Sequence, residues 1–366
     1  MTQANHLACG DIIIIALPDH KPICQIKEMK STTNEQKSCL IIGGGISGLI
    51  AGNMLQRQGI KVTILDKGRG IGGRLATRRI RNESYGQGVF DYGAQFFTVS
   101  DPQFQKWVDQ WLEQGIIKEW SKQLTNIEKP CYCGVESNRN LAQYLAKDLD
   151  VHLQTRVIKI IWEADSWTIE TEKGHGFQAN ILIMTPPIPQ SLALLEDSDI
   201  TLPSPIKSRL EQVTYYPCMT VLLLLDKLSL IPKPGGLRLK DYSLAWIACN
   251  HKKGISPEGF AVTLHSTPEF SQNNWDTEDS LVVEKLLKVA TSWLGSTVVD
   301  YQVHRWRYSH PKTVYGELYL PLDQPGLLIM AGDVFSAMPS LDLSLNLEKA
   351  TLSGLAAGNY LLQKIE

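Results

Sequence analysis

Cys39-Leu-Ile-Ile-Gly43-Gly-Gly45-Ile-Ser-Gly48 opens the most informative run in this 366-residue chain, and Lys61-Val-Thr-Ile-Leu-Asp66 closes it. The continuous apolar stretch 39–42 reads as a strand buried on both faces, as in a parallel sheet. Residues 49–58 carry helical spacing, with Ile50, Met54 and Leu55 able to face a sheet, and Gly59 ends that helix. Residues 61–66 form a second strand, completing a βαβ unit. Between strand and helix, Gly43, Gly45 and Gly48 match G-x-G-x-x-G. Gly43 permits the tight turn, Gly45 a close approach of backbone to a pyrophosphate, and Gly48 close packing of helix on strand. The N–H groups of Ile46 and Ser47 then open a helix whose positive end favours phosphate. Asp66 ends the second strand, where an acid suits the two hydroxyls of an adenosine ribose. The unit is predicted to bind a dinucleotide.

Bulk properties narrow the rest. The chain is long enough for two domains, with 43% hydrophobic and 20% charged residues, and is globular in composition. A formal net charge of −2 supplies no drive toward nucleic acid or an anionic membrane. Seven scattered cysteines argue against a disulfide framework, and the Cys131-x-Cys133 pair has no second pair at metal spacing, so no metal site is expected. No apolar run approaches the ~18 residues that span a bilayer. A cytoplasmic protein is the expectation. Residues 1–37 read as an extension joined by a polar linker, with Met29 as an alternative start. Further along, helices are expected at 104–113, 141–149 and 345–363. Strands are expected at 152–162, 167–171, 181–184, 219–225, 243–248, 260–265 and 326–331.

The residues after Asp66 choose between cofactors. Lys67-Gly-Arg69-Gly-Ile-Gly-Gly73-Arg74 resembles the second motif of the FAD-dependent amine-oxidase superfamily, G-G-R following the ribose-binding acid. There Arg74 is read as a forked, permanently charged donor to phosphate. Within that superfamily the chain is similar to the renalase group. The shared blocks are Asp91-Tyr-Gly93-Ala94-Gln95-Phe-Phe-Thr98, Ala245-Trp246, Thr263-Leu-His265, His304-Arg305-Trp306-Arg307-Tyr308, Gly332-Asp333 and Ala350-Thr-Leu-Ser353-Gly354.

The resemblance implies an α/β fold, in which a Rossmann-type FAD-binding domain (38–99, 144–190, 322–366) is interleaved with a mixed α+β substrate domain (100–143, 191–321). It places Gly93, Ala94 and Gln95 beside the isoalloxazine, Val157 at adenine and Thr185 before a turn packed on the dinucleotide. Asp333, after Gly332, accepts from the ribityl or phosphate region, and the start of the last helix, at Leu347, points N–H groups at the flavin C2 carbonyl. Trp246, His265, Arg305 and Tyr308 would line the substrate side. Two departures stand out: Lys349 where the family has glycine, expected to crowd the pyrimidine edge of the flavin or to add a positive charge there, and the loop 336–344. The implied activity is oxidation of aberrant dihydronicotinamide isomers of NAD(P)H, with O2 giving H2O2. The alternatives are an amine oxidase or desaturase of the same superfamily, and a flavin-binding protein without turnover.

Overall fold

The computed structural model describes residues 37–124, 127–337 and 343–365. The extension 1–36 with Met29, and residues 338–342 of the departing loop, lie outside that set. β1 (Ser38–Ile42), α1 (Ile46–Arg57) and β2 (Lys61–Leu65) form the expected βαβ unit, with β1 and β2 parallel and in register from Ser38↔Lys61 to Ile42↔Leu65. They sit centrally in a six-stranded sheet ordered Leu320–Leu322, Leu328–Met330, Ile181–Met184, β1, β2, Asp150–His152. Only Leu320–Leu322 runs antiparallel to its neighbour.

The apolar run of β1 follows from what covers each face. Cys39 and Ile41 point into one core with Leu49, Ile50 and Leu55 of α1 and Leu352 of the C-terminal helix Asn346–Ile365. Leu40 and Ile42 point the other way, onto Ile160, Trp167 and Ile169 of a three-stranded meander (Val157–Glu163, Ser166–Thr171, Gly176–Ala179). With both faces dry, alternation has no water side to record.

A second sheet is antiparallel throughout, in the order Gly236–Arg238, Leu244–Cys249, Phe260–Ser266, Tyr215–Leu225, Val298–Pro311. Met219, Val221 and Leu223 pack beneath the helix Asp279–Leu294 through Val282, Leu286 and Ala290. On the opposite face Leu222 and Leu224 meet Ile80 and Phe90 of the hairpin Thr77–Asn82/Gly86–Asp91 and Tyr92 just after it. The sequence reading omitted this hairpin, the helix at 279–294 and the fourteen-residue strand at 298–311. Most residues of that strand are half-buried, so it carries no apolar run.

Candidate active site

The glycine turn is built as its spacing demands. Gly43 has φ +108°, open to glycine alone at no cost, and its N–H donates to Leu65 O at 2.8 Å. A Cβ on Gly48 would collide with the Gly43 carbonyl, which keeps α1 close to the strand end. Beside Gly45 the space is open: a Cβ there would meet nothing within 4 Å. Asp66 accepts from Gly44 N–H at 2.7 Å and from Gly68 N–H at 2.6 Å, so one carboxylate braces both glycine segments. Thr185 Oγ1 donates to the carbonyls of Ile42 or Gly43, at 3.0 and 3.1 Å, tying the next strand end to the same turn. Gly43, Gly45, Asp66, Gly68 and Thr185 border a cavity of about 1500 Å³ that continues past Val157 to Leu347 and onto the second sheet.

Arg74 differs from its expected role. Its Nη1 and Nη2 grip Asp333 at 2.6 and 2.8 Å, and Nη1 also reaches Ser309 O at 3.2 Å. A bidentate pair of this kind uses the fork that a phosphate would need. Arg74 and Asp333 are therefore a clamp joining the second glycine segment to the chain before the last helix. Gly332, at φ +141°, makes that corner and donates to Ser353 Oγ at 2.9 Å. Lys67 reaches Gln190 Oε1 at 2.9 Å. Asn346, Leu347 and Ala350 line the cavity at the start of the last helix. Lys349 does not line it and is 2% exposed, because the helical turn directs it into the interior. The expected crowding of the flavin edge is thus corrected.

Gly93, Ala94 and Gln95 form the cavity wall opposite, held by a dense polar network that the sequence reading missed. Lys253 donates to Asp91 Oδ2 at 2.7 Å and to the Gln95 carbonyl, with both charged side chains fully buried. Asp91 Oδ1 also accepts from Thr77 Oγ1 at 2.9 Å and from Asn138 N–H at 3.0 Å. Gln95 Nε2 donates to Asp91 O at 2.6 Å, while its Oε1 accepts from Trp246 Nε1 at 3.3 Å. Lys253 gives no periodic signal, and its partners lie about 160 residues away in sequence.

All four predicted substrate-side residues border the cavity, but the donors of one are engaged elsewhere. Trp246 is buried at its edge, and Tyr308 lies edge-on to Tyr215 with ring centroids 5.4 Å apart. His265 approaches Tyr92 O at 3.2 Å through Nε2. The same Nε2 lies 3.4 Å from the Gln95 side-chain amide nitrogen, which only donates, so its two neighbours ask opposite roles of it. Arg305 is the exception. Its guanidinium turns to Trp275 O, Thr277 O and Asp279, so its donors are spent anchoring the loop at 275–279. The catalytic expectation for Arg305 is withdrawn on that ground.

The missed neighbours of this wall are Arg78 and His304. Arg78 Nη2 donates to His304 Nδ1 at 3.0 Å, and its guanidinium lies over the Tyr92 ring at 4.8 Å. Tyr92 in turn stacks on Trp306 with centroids 5.0 Å apart. Burial pushes His265, His304 and His310 down to about 4, helped at His304 by Arg78 and at His310 by Arg74. All three are uncharged at neutral pH.

Comparison with known proteins adds the identity of the architecture. Residues 41–111 match an NAD(P)-binding Rossmann-like domain, and residues 124–362 match the flavin containing amine oxidoreductase family. The chain belongs to the flavin-containing amine oxidoreductase family. It is an FAD-dependent oxidoreductase. It is 23% identical over 318 residues to renalase from Mus musculus, covering 81% of this chain and 92% of that one. A shorter region, 63 residues at 43% identity, is similar to a probable polyamine oxidase from Arabidopsis thaliana, covering 17% of this chain and 13% of that one. In structure it resembles a putative protoporphyrinogen oxidase from Exiguobacterium sp. 255-15, with TM-score 0.63 and 15% identity over 88% of this chain and 99% of that one. That likeness bears on the fold alone.

The family's cofactor suits this cavity. Ser47 Oγ is buried at the start of α1 with no hydrogen-bond partner, beside open space at Gly45. A buried hydroxyl without a partner is costly unless a ligand supplies one. The cavity also exceeds the roughly 300–1,000 Å³ of a single small-molecule site, which leaves room for FAD and a second molecule. Among the described residues there is no cluster of metal-binding side chains, and no helix is long and apolar enough to cross a membrane.

Proposed function

We propose that this chain is a renalase-like oxidase of dihydronicotinamide isomers of NAD(P)H. The observation that carries the reading is the charge around the substrate end of the cavity. Arg78, Arg238 and Arg307 line that end, whereas the acids of the whole described lining are Asp66, Asp197 and Asp333, none on the five-stranded sheet. Among the described lining residues a cationic amine would meet no counter-ion there. A dinucleotide carrying a pyrophosphate would meet complementary charge.

The cofactor-binding roles follow the lining. Backbone N–H groups at Gly45, Ile46 and Ser47 would take the pyrophosphate, Asp66 the adenosine ribose, and Val157 the adenine. Gly93 to Gln95 would flank the isoalloxazine, with Leu347 N–H, in the positive first turn of the last helix, near its pyrimidine edge. When bound, FAD supplies the hydride acceptor at N5 and is reoxidised by O2, which takes one proton from solvent and leaves as H2O2.

Loss of hydride turns the dihydropyridine into an aromatic pyridinium, so no proton has to be removed from the substrate. The chain's own contribution is then to stack and orient two rings and to exclude water. Trp246 and Tyr308 supply flat apolar walls. His265, uncharged at neutral pH, offers its unprotonated ring nitrogen to a donor such as a carboxamide N–H. A cytoplasmic, small-molecule role without nucleic acid or membrane partners fits this reading.

Anaerobic stopped-flow mixing tests it. Rapid bleaching of the flavin by 2- or 6-dihydro isomers of NAD(P)H is expected, at a rate independent of pH between 6 and 8. Bleaching by polyamines or aryl amines with none by the dihydropyridines would overturn the proposal.

A further inference from the structure

The clamp between Arg74 and Asp333 leaves a question about charge. The cofactor's pyrophosphate carries two negative charges, and the arginine of the second glycine motif has its fork engaged elsewhere. At the same end of the cavity Lys67 is hydrogen-bonded to Gln190, and Arg69 and Arg156 are exposed to solvent. Arg139 is different. It is half-buried, it lines the cavity, and its Nε is shielded from water with no hydrogen-bond partner. Among the described residues its side chain makes no ion pair or hydrogen bond.

We propose that Arg139 is the arginine that holds the pyrophosphate of FAD. Its position is set by neighbours on both sides. Asn138, the first residue of the helix Asn138–Ala146, donates from its backbone to Asp91 and from its side chain to Ala94 O at 2.6 Å, so the helix start is pinned to the Gly93–Gln95 wall. The guanidinium then lies flat against Gly70: a Cβ there would stand 3.1 Å from Nη2 and 3.2 Å from Cζ. One turn on, Ala142 packs against Gly72, whose N–H donates to Gly44 O at 2.9 Å. Gly73 in turn approaches Gly45, a Cβ on it standing 3.6 Å from the Gly45 Cα. The two glycine segments are thus layered between the first turn of α1 and the helix carrying Arg139. For a group seated on the amides of α1, this guanidinium is the half-buried cation of the lining that has no partner of its own. An unpaired, partly desolvated arginine is costly to hold, and a charge-assisted pair with phosphate removes that cost.

The assignment does not depend on which substrate the enzyme oxidises. It is tested by reconstituting flavin-stripped protein and titrating it with FAD and with riboflavin, which lacks phosphate, following flavin fluorescence. Arg139→Gln is expected to weaken FAD at least tenfold and leave riboflavin within twofold, with Arg139→Lys in between for FAD. Because Arg139 has no protein partner, its removal strands nothing, and the variant's melting temperature without flavin should match the parent's. FAD affinity within twofold of the parent, or equal losses for FAD and riboflavin, would overturn the proposal.

Discussion

The pair Lys253–Asp91 gives the sharpest test of how the cavity wall is held. Both side chains are fully buried, 2.7 Å apart, and Asp91 keeps only the Thr77 hydroxyl and the Asn138 amide if the ammonium is removed. Lys253→Met preserves length and apolar stem while deleting the charge. A buried ion left without its partner costs roughly 3–5 kcal/mol. At about 2–3 °C per kcal/mol for a chain of this size, the midpoint of thermal unfolding should fall by roughly 6–15 °C. The Gln95 carbonyl loses a donor at the same time, so the Gly93–Gln95 segment loosens and flavin is released at a lower temperature than from the parent. The assay is a double-mutant cycle: melts of the parent, Lys253→Met, Asp91→Asn and the double variant, each saturated with FAD, read by circular dichroism and flavin fluorescence together. Asp91→Asn removes the stranded charge, so the double variant should cost clearly less than the two single changes summed, by about 2 kcal/mol or more. A Lys253→Met protein melting within about 1 °C of the parent, or strict additivity in the cycle, would refute the reasoning.

Three further outcomes are expected. Arg74→Gln strands Asp333, which is 5% exposed in its side chain, and should lower the unfolding midpoint even without flavin; a change seen only with FAD bound would return Arg74 to a phosphate role. Arg305→Ala should leave the rate of flavin reduction within about twofold, since its guanidinium serves the loop at 275–279, and a loss approaching a hundredfold would restore a catalytic role. Unfolded histidine titrates near 6.5, whereas His265, His304 and His310 titrate at about 4 in the fold. The unfolded chain therefore binds more protons between those values. Stability from these groups is complete above pH 6.5 and declines as pH falls toward 4, by up to about 1.4 kcal/mol per pH unit for each histidine. Urea titrations at pH 7, 6 and 5 measure that slope, and a midpoint that holds or rises on acidification would contradict it.

What was legible in the sequence was what short-range physics fixes. Strand, glycine turn, helix and acid from Cys39 to Asp66 each follow from neighbours within a few residues, because a buried parallel strand must be apolar throughout and a close phosphate approach must be glycine. The cavity-lining positions Gly93–Gln95, Trp246, His265 and Tyr308 could be named only because their blocks resemble those of a known family, not from local physics. The helix Asp279–Leu294 was within reach of its own spacing, through Val282, Val283, Leu286 and Ala290, and was passed over. Partnership was not legible at all. Arg74 reads as a phosphate ligand until Asp333, 259 residues on, closes its fork, and Arg305 reads as catalytic until Trp275, Thr277 and Asp279 turn it outward. Lys253 looks like any surface lysine beside Lys252, yet the fold buries it on Asp91. A charged side chain's role is set by which opposite charge the fold brings within about 3–4 Å. That pairing is a property of the closed chain, so the sequence alone determined where a dinucleotide can sit, and the tertiary structure decided which charges remain to hold it.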